Sequence, residues 1–388
     1  MLGSNFKDYG DGPFWQHSRT LMRPTFTRTN VANLPAFEKN LQKFFKLLPE
    51  DESTVDLKPL LCKLFIDTST EFLLGESTNM LSSEQPMRSQ EFLDAFHYNQ
   101  FGTGRRLQLG KLAFLYRDKK YYDSIKVAHA FADFYVDKAI KYRIDHLSKE
   151  EPAEKYKSGH KYVLLHDMAM QTDNRNELRS QILHVFLAGH ESSAITIGNA
   201  LFQLSRNPSV WEKLRREVIE AHGTSISSFT HDNLRKLKHL QNVVKETLRL
   251  YPVASTAPRK AYKDGVLPRD GGPDGKFPIF VRKGTVIITP LSSLHRLADC
   301  FQSDGDKFIP SRWEDPSLRP GAAYILFGWG VRTCPAQNLA EIEIAYTLAR
   351  MAQKWKYLEC RDEVEEWVEE LRVSTSSRNG VKAALVAE

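Results

Sequence analysis

From Asn176 to about Ser205 the chain reads as a single long helix that is apolar on most of its sides. Such a helix has no solvent face, so it belongs in the middle of a core with other elements packed around it. Only a large domain can surround it, and 388 residues, 41% of them hydrophobic, are enough for one. The charged share of 26% is that of a globular protein. A formal charge of +6 and a pI near 8.9 describe a mildly basic surface, either simply solvated or suited to an acidic partner or an anionic membrane. No basic stripe points to nucleic acid. No stretch approaches the roughly 18 apolar residues of a membrane span, and no charged-then-apolar leader opens the sequence.

The rest of the chain predicts more helices around that centre. Apolar residues recur at helical spacing over 37–48 and 57–74. The segment from about 91 to 143 is helical in pattern but rich in Lys, Arg and Tyr, which suits a more exposed layer. Residues 149–161 are polar and aperiodic and predict a surface loop. Asn207 and Pro208 supply an N-cap and a first-turn proline for a helix over 208–222, and another over 238–250 stops at Tyr251-Pro252. FPIFV (277–281) and TVIIT (285–289), separated by Arg282-Lys283-Gly284, predict a β-hairpin. A last long helix covers about 337–355, and Asn379-Gly380 between apolar flanks reads as a hairpin turn. The expected fold class is mainly α with a minor β part (α+β), in a single domain over 1–388 without repeats.

The four cysteines, Cys62, Cys300, Cys334 and Cys360, are too scattered for a C-x-x-C metal site and too few for a disulfide scaffold. A reducing compartment fits them. A lone cysteine is ordinarily a buried core residue. The surroundings of Cys334 point elsewhere, because Phe327-Gly-Trp-Gly330-Val-Arg332-Thr-Cys334-Pro-Ala336 directly precedes a helix. If Cys334 binds a metal, each neighbour has a use. Gly328 and Gly330 permit a tight turn with N–H groups aimed at the sulfur. Those donors and the helix end favour a thiolate. Pro335 suits the first helical turn. Arg332 can pair with a carboxylate of the ligand, and Ala336 is small enough for a flat ligand to approach. At average residue frequencies the full pattern F-x-x-G-x-R-x-C-x-[GA] does not arise by chance.

This loop resembles the haem-binding loop of the cytochrome P-450 superfamily, and three distant segments resemble that family's other motifs. Ala188-Gly189-His190-Glu191-Ser192-Ser193 is similar to the central-helix motif A-G-x-[DE]-T-[TS], with Ser192 where Thr is usual. A Gly, an acid and a hydroxyl are unfavourable in a buried helix unless chemistry requires them. Gly189 would leave room beside the iron, and Glu191 and Ser192 would relay protons. Glu246-Thr-Leu-Arg249 and Phe308-Ile-Pro310-Ser-Arg312-Trp313 resemble the E-x-x-R helix and its partner segment. That implies a buried Glu246–Arg249–Arg312 network with a structural role. Trp15-Gln-His-Ser-Arg19 places Trp and Arg on one helical face and resembles the W-x-x-x-R helix. By the same resemblance Trp15, Arg19, Arg259 and Arg332 would contact the haem propionates, with Gly189, Phe327, Gly330 and Ala336 also against the cofactor. His295-Arg296 matches a recurring dipeptide without an implied contact.

The resemblance covers the chain from Trp15 to its C-terminal hairpin, and Asp67 to Gly75 with Gly271 to Gly275 is similar to fungal alkane and fatty-acid hydroxylases. It implies haem b with Cys334 as axial thiolate, which pushes electron density onto the iron. It implies electrons from NADPH through a flavoprotein reductase, and a hydrophobic substrate such as a lipid, alkane or secondary metabolite. Val253 to Pro258, Ala188 and Val373 to Ser377 would line the pocket. Membrane association, at the cytoplasmic face of the endoplasmic reticulum, follows only where a full-length anchor exists. The W-x-x-x-R helix starts close to Met1, so the domain is expected to be incomplete at its N-terminus, without some early helices and strands. Two alternatives stay open: a non-catalytic haem-binding relic, and a haem-thiolate isomerase or dehydratase.

Overall fold

A computed structural model describes residues 12–27, 33–82, 87–148, 162–226 and 229–387. The loop expected over 149–161 lies outside the described residues. Helix α1 (Gly12–Met22) leads into a 3-10 turn, and α2 (Leu34–Lys46) starts on Asn33, whose side chain accepts from the Ala36 N–H. A short strand β1 (Val55–Asp56) runs into α3 (Leu57–Leu74). Asp56 caps α3 by accepting from Lys58 N–H, and Gly75 ends it in the left-handed region at φ 84°. The segment expected to be helical over 91–143 is two helices, α4 (Met87–Leu109) and α5 (Lys119–Leu147). Gly110, at φ 53°, interrupts them with a 3-10 turn. This layer leaves Phe101, Leu107, Leu112 and Phe114 exposed.

After α6 (Leu164–Gln171) comes the central segment, and here the expectation of one helix is corrected. It is two: α7 (Arg175–Gly189) and α8 (Ser192–Arg206). Glu191 leaves helical geometry at φ −131°. The physical reason is local and tertiary together. Gly189 is a poor helix former, and the carbonyl it frees accepts instead from Ser69 Oγ on α3, at 3.2 Å. Helix α8 is buried along nearly its whole length.

Helices α9 (Pro208–His222), α10 (His231–Lys236) and α11 (Lys238–Leu250) follow. Pro208 opens α9, but Asn207 does not cap it; its amide donates back to Gln203 O at 2.8 Å. Strands β2 (Thr256–Lys260), β3 (Gly265–Gly271), β4 (Phe277–Val281) and β5 (Val286–Pro290) come next. The hairpin expected between β4 and β5 is not formed. β4 pairs antiparallel with β3, and β5 with β2. The Arg282-Lys283-Gly284 bend is held by the connection between β2 and β3: Gly284 N–H donates to Ala261 O and Lys283 N–H to Asp264. The reversal of direction therefore lies at Gly271–Lys276, where Gly272 and Gly275 take positive φ.

Short helices α12 (Leu291–Leu294) and α13 (Ala298–Phe301) precede the irregular stretch that ends at α14 (Gln337–Lys354). Strands β6 (Tyr357–Cys360), β7 (Glu369–Leu371), β8 (Thr375–Ser377) and β9 (Lys382–Val386) close the chain. Asn379-Gly380 joins β8 to β9, but these do not pair, which corrects the second expected hairpin. β8 pairs with β7, while β9 sits between β1 and β6. Gly380 is required there: at φ 77° it lies against the Asp56 carboxylate, which leaves no room for a Cβ.

The larger core joins α2, α3, α8, α9, α11 and α14, with Leu41, Phe44, Leu61, Leu201, Trp211 and Leu348 fully buried. Each such side chain contributes about 1.5–3 kcal/mol of apolar burial. A second core lies between α3, α4, α5, α6 and α7. Mainly helical architecture with minor β sheets is thus observed, and its two cores meet along α3.

Candidate active site

Cys334 sits on the loop between a 3-10 turn at Gly330–Arg332 and α14. Its N–H donates to Phe327 O at 2.8 Å, so the loop closes on itself across the two glycines. Gly328 and Gly330 take φ 77° and 70°, a region an L side chain rarely adopts, which is why glycine stands at both. Phe327 packs partly buried against the larger core. Helix α14 begins at Gln337 with Ala336 as its cap residue, so Pro335 lies outside the first turn where it was expected.

Two residues of α1 reach this loop. Arg19 Nη1 donates to Thr333 O at 2.7 Å, and the Arg332 guanidinium lies 4.2 Å from the centre of the Trp15 ring. Helix α1 is itself docked on α7, with Gln181 donating to Ser18 and His17 against Glu177. Trp15, Arg19, Arg332 and Cys334 are therefore brought together. Arg259, exposed on β2, donates to its neighbour Pro258 O at 2.9 Å.

Burial pushes the Cys334 thiol up, and the Ala336 N–H and the Arg19 charge pull it down without overcoming that. The backbone donor thus acts in the direction expected of the loop, toward the thiolate. A cation on the sulfur would add to that pull. Among the described residues no three His, Cys, Asp or Glu side chains gather as a metal site. An iron on Cys334 would bring its other ligands with it, as a porphyrin does. The neighbouring guanidiniums suit carboxylates on that ligand. A Cβ on Gly189 would meet only Ser69 Oγ, 3.8 Å away, so packing within the chain does not explain glycine there. These residues fit a haem.

The helix break carries the acid and hydroxyls. Ala188 is exposed although it belongs to the central helix. Glu191 Oε1 accepts from Ser374 Oγ at 2.6 Å, and its Oε2 lies 3.7 Å from His190 Nε2. Ser192 opens α8, and its carbonyl accepts from Thr196 Oγ1. Glu343 of α14 lies near the next residue, Ser193, and burial pushes its carboxyl up to about 8. Glu343 also lines a cavity of about 70 Å³ with Asn40, Thr68 and Glu71. Sequence reasoning missed Ser374 as a partner of this motif and Glu343 as its neighbour. Only the position of Glu343 on the helix after the cysteine loop could have hinted at one of them.

Behind the loop, Glu246 accepts five hydrogen bonds: two from Arg249 at 2.9 and 2.8 Å, and one each from Arg312, Trp313 and the Ile309 N–H. Glu246 and Arg249 are wholly buried. Arg249 also donates to the carbonyls of His295, Gly305 and Lys307, and Arg312 to Phe301 O and Asp304. His295, for which the sequence implied no contact, is fully buried and accepts from Ile325 N–H at 3.1 Å. Burial lowers it to about 4.

The cytochrome P450 family model matches residues 6–382. The cytochrome P450 monooxygenase fsdH of Fusarium heterosporum is 37% identical over 99% of this chain and 71% of its own length. Cytochrome P450 52A3-B of Candida maltosa is 36% identical over 91% of this chain and 69% of its own. The crystal structure of the cytochrome P450 CYP102L1 superposes with a TM-score of 0.78 over the whole chain and 82% of that structure, at 21% identity, a likeness of fold. No helix among the described residues is long and apolar enough to cross a membrane. The chain belongs to the cytochrome P450 family of haem-thiolate monooxygenases.

Proposed function

We propose that this chain is one haem b-binding domain, with Cys334 as the axial thiolate, that hydroxylates a hydrophobic substrate such as an alkane, a fatty acid or a secondary metabolite. The observation that carries the reading is the meeting of Trp15, Arg19 and Arg332 around the loop of a single thiol. Haem held by a thiolate supplies the activation of dioxygen. Arg19 and Arg332 hold the propionates, with exposed Arg259 a further candidate. Ala188 and Gly189 leave the central helix flat enough for cofactor and substrate to approach. Glu191 and Ser192, at the break, move protons. The Glu246–Arg249–Arg312 network keeps the segment before the cysteine loop in place. Electrons come from NADPH through a flavoprotein reductase, which a basic face can dock.

The test is the carbon-monoxide difference spectrum of the reduced, haem-loaded protein. A strongly red-shifted Soret band is expected, and is lost in Cys334→Ala. Folded protein that binds haem without that band would overturn the ligand assignment. Reductase-dependent oxygen consumption with product then separates a monooxygenase from a haem-binding relic or an isomerase.

A further inference from the structure

We propose that Ser374, at the tip of the β7–β8 hairpin, is a positioning residue for Glu191: its hydroxyl holds the carboxylate at the helix break. This rests on the reading of Glu191 as the proton-carrying acid. The 2.6 Å hydrogen bond joins residues far apart in sequence, and a hydroxyl donating to a carboxylate at that length is a strong, charge-assisted contact. Among the described residues Ser374 is the one hydrogen-bond donor to this side chain. The other oxygen faces an acceptor. His190 Nδ1 lies 3.0 and 3.2 Å from the carbonyls of Phe186 and Leu187, so it carries the proton and Nε2 presents a lone pair. That Nε2 is buried without a hydrogen-bond partner, 3.7 Å from Glu191 Oε2. Burial lowers the imidazole below its usual value, so it stays neutral at neutral pH and cannot hold the carboxylate. Release of the Ser374 bond leaves Glu191 beside a repelling lone pair, and the carboxylate swings away.

The hairpin tip is anchored independently of Glu191. Thr375 N–H donates to Val253 O at 2.8 Å, and Arg372 N–H to Ser374 O at 2.9 Å. Lys58 of α3 ties Ser376, Ser377 O and Glu370 together. Val373, adjacent to Ser374, is apolar and 50% exposed.

The experiment uses the full haem-loaded chain with Ser374→Ala, Ser374→Cys and Ser374→Thr. The carboxylate stretch of Glu191, identified by isotope-edited infrared spectroscopy through its loss in Glu191→Gln, is read on the resting protein. The band is expected to shift in Ser374→Ala, less in Ser374→Cys, and to return in Ser374→Thr. In turnover, product formed per NADPH is expected to fall several-fold in Ser374→Ala, with the electrons released as hydrogen peroxide or water, and to recover in Ser374→Thr. An unmoved band in the Ala and Cys variants overturns the proposal, and so does a shifted band with unchanged product yield while Glu191→Gln is impaired. If Glu191→Gln turns over like the parent, it is the reading of Glu191 that fails, and the band alone still decides whether Ser374 holds it.

Discussion

Two carboxylates at opposite ends of the site, Glu246 and Glu191, meet opposite surroundings. Glu246 is fully buried and accepts five hydrogen bonds, two from one guanidinium, so every lone pair is committed and its geometry is over-determined. Glu191 is partly exposed, takes one hydroxyl donor, and has a histidine lone pair at its other oxygen. A saturated buried carboxylate is a structural part: it cannot move or be removed without stranding two arginines. A carboxylate held by one hydroxyl has a single bond to exchange rather than five, which is what proton transfer needs.

The largest effect should come from breaking the saturated side. Glu246→Gln strands the charges of Arg249 and Arg312 in the core and is expected to cost about 3–5 kcal/mol, read by urea unfolding or by loss of folded protein on expression. A full-stability Glu246→Gln would end the contrast. His295 probes the same region by pH. Its folded value is depressed to about 4, below the ordinary 6.5, so the unfolded chain binds the proton more readily. Stability is complete above pH 6.5 and should decline by about 3 kcal/mol at most as pH falls to 4, with less decline in His295→Gln. Thermal unfolding across that window checks it.

On the other side, Glu191→Gln should leave unfolding free energy within about 0.5 kcal/mol of the parent. It should also lower product formation by about 10²-fold. Loss of stability with unchanged turnover would assign Glu191 to the structural class instead. The smallest effect is expected from Ser69→Ala, which removes the donor to the Gly189 carbonyl at the break. A cost of about 1 kcal/mol in unfolding, with the Soret position unchanged, fits a break sustained by α3.

Much of the helical frame was legible because its signals are local. Residues 57–74 appear as α3 with the bounds their periodicity indicated, and Lys238–Leu250 stops where Tyr251-Pro252 predicted. The cysteine loop was legible for the same reason, since its glycines, arginine and cysteine lie within ten residues of one another. Strand pairing was not. FPIFV and TVIIT look like partners because both are apolar with a Gly-containing bend between them. Their actual partners, TAPRK and GVLPRDG, carry Pro and little apolar alternation. The break in the central helix was only partly legible: Gly, an acid and a hydroxyl are unfavourable in a buried helix, but Gly189 is tolerable there until Ser69 offers its carbonyl another partner.

The class of chemistry and the helical scaffold are written locally in the chain, since both rest on residue types at short fixed spacing. Helical periodicity places an apolar face, and a ten-residue loop can shape one cysteine's surroundings without help. Only the tertiary structure decided which charge neighbours which. It set Glu246 among five donors and brought Ser374 to Glu191 from the far end of the chain. The difference is physical. Propensity and periodicity act over a turn or two of backbone, whereas the hydrogen bonding and burial that fix an ionisable group's behaviour come from elements that meet only when the core closes.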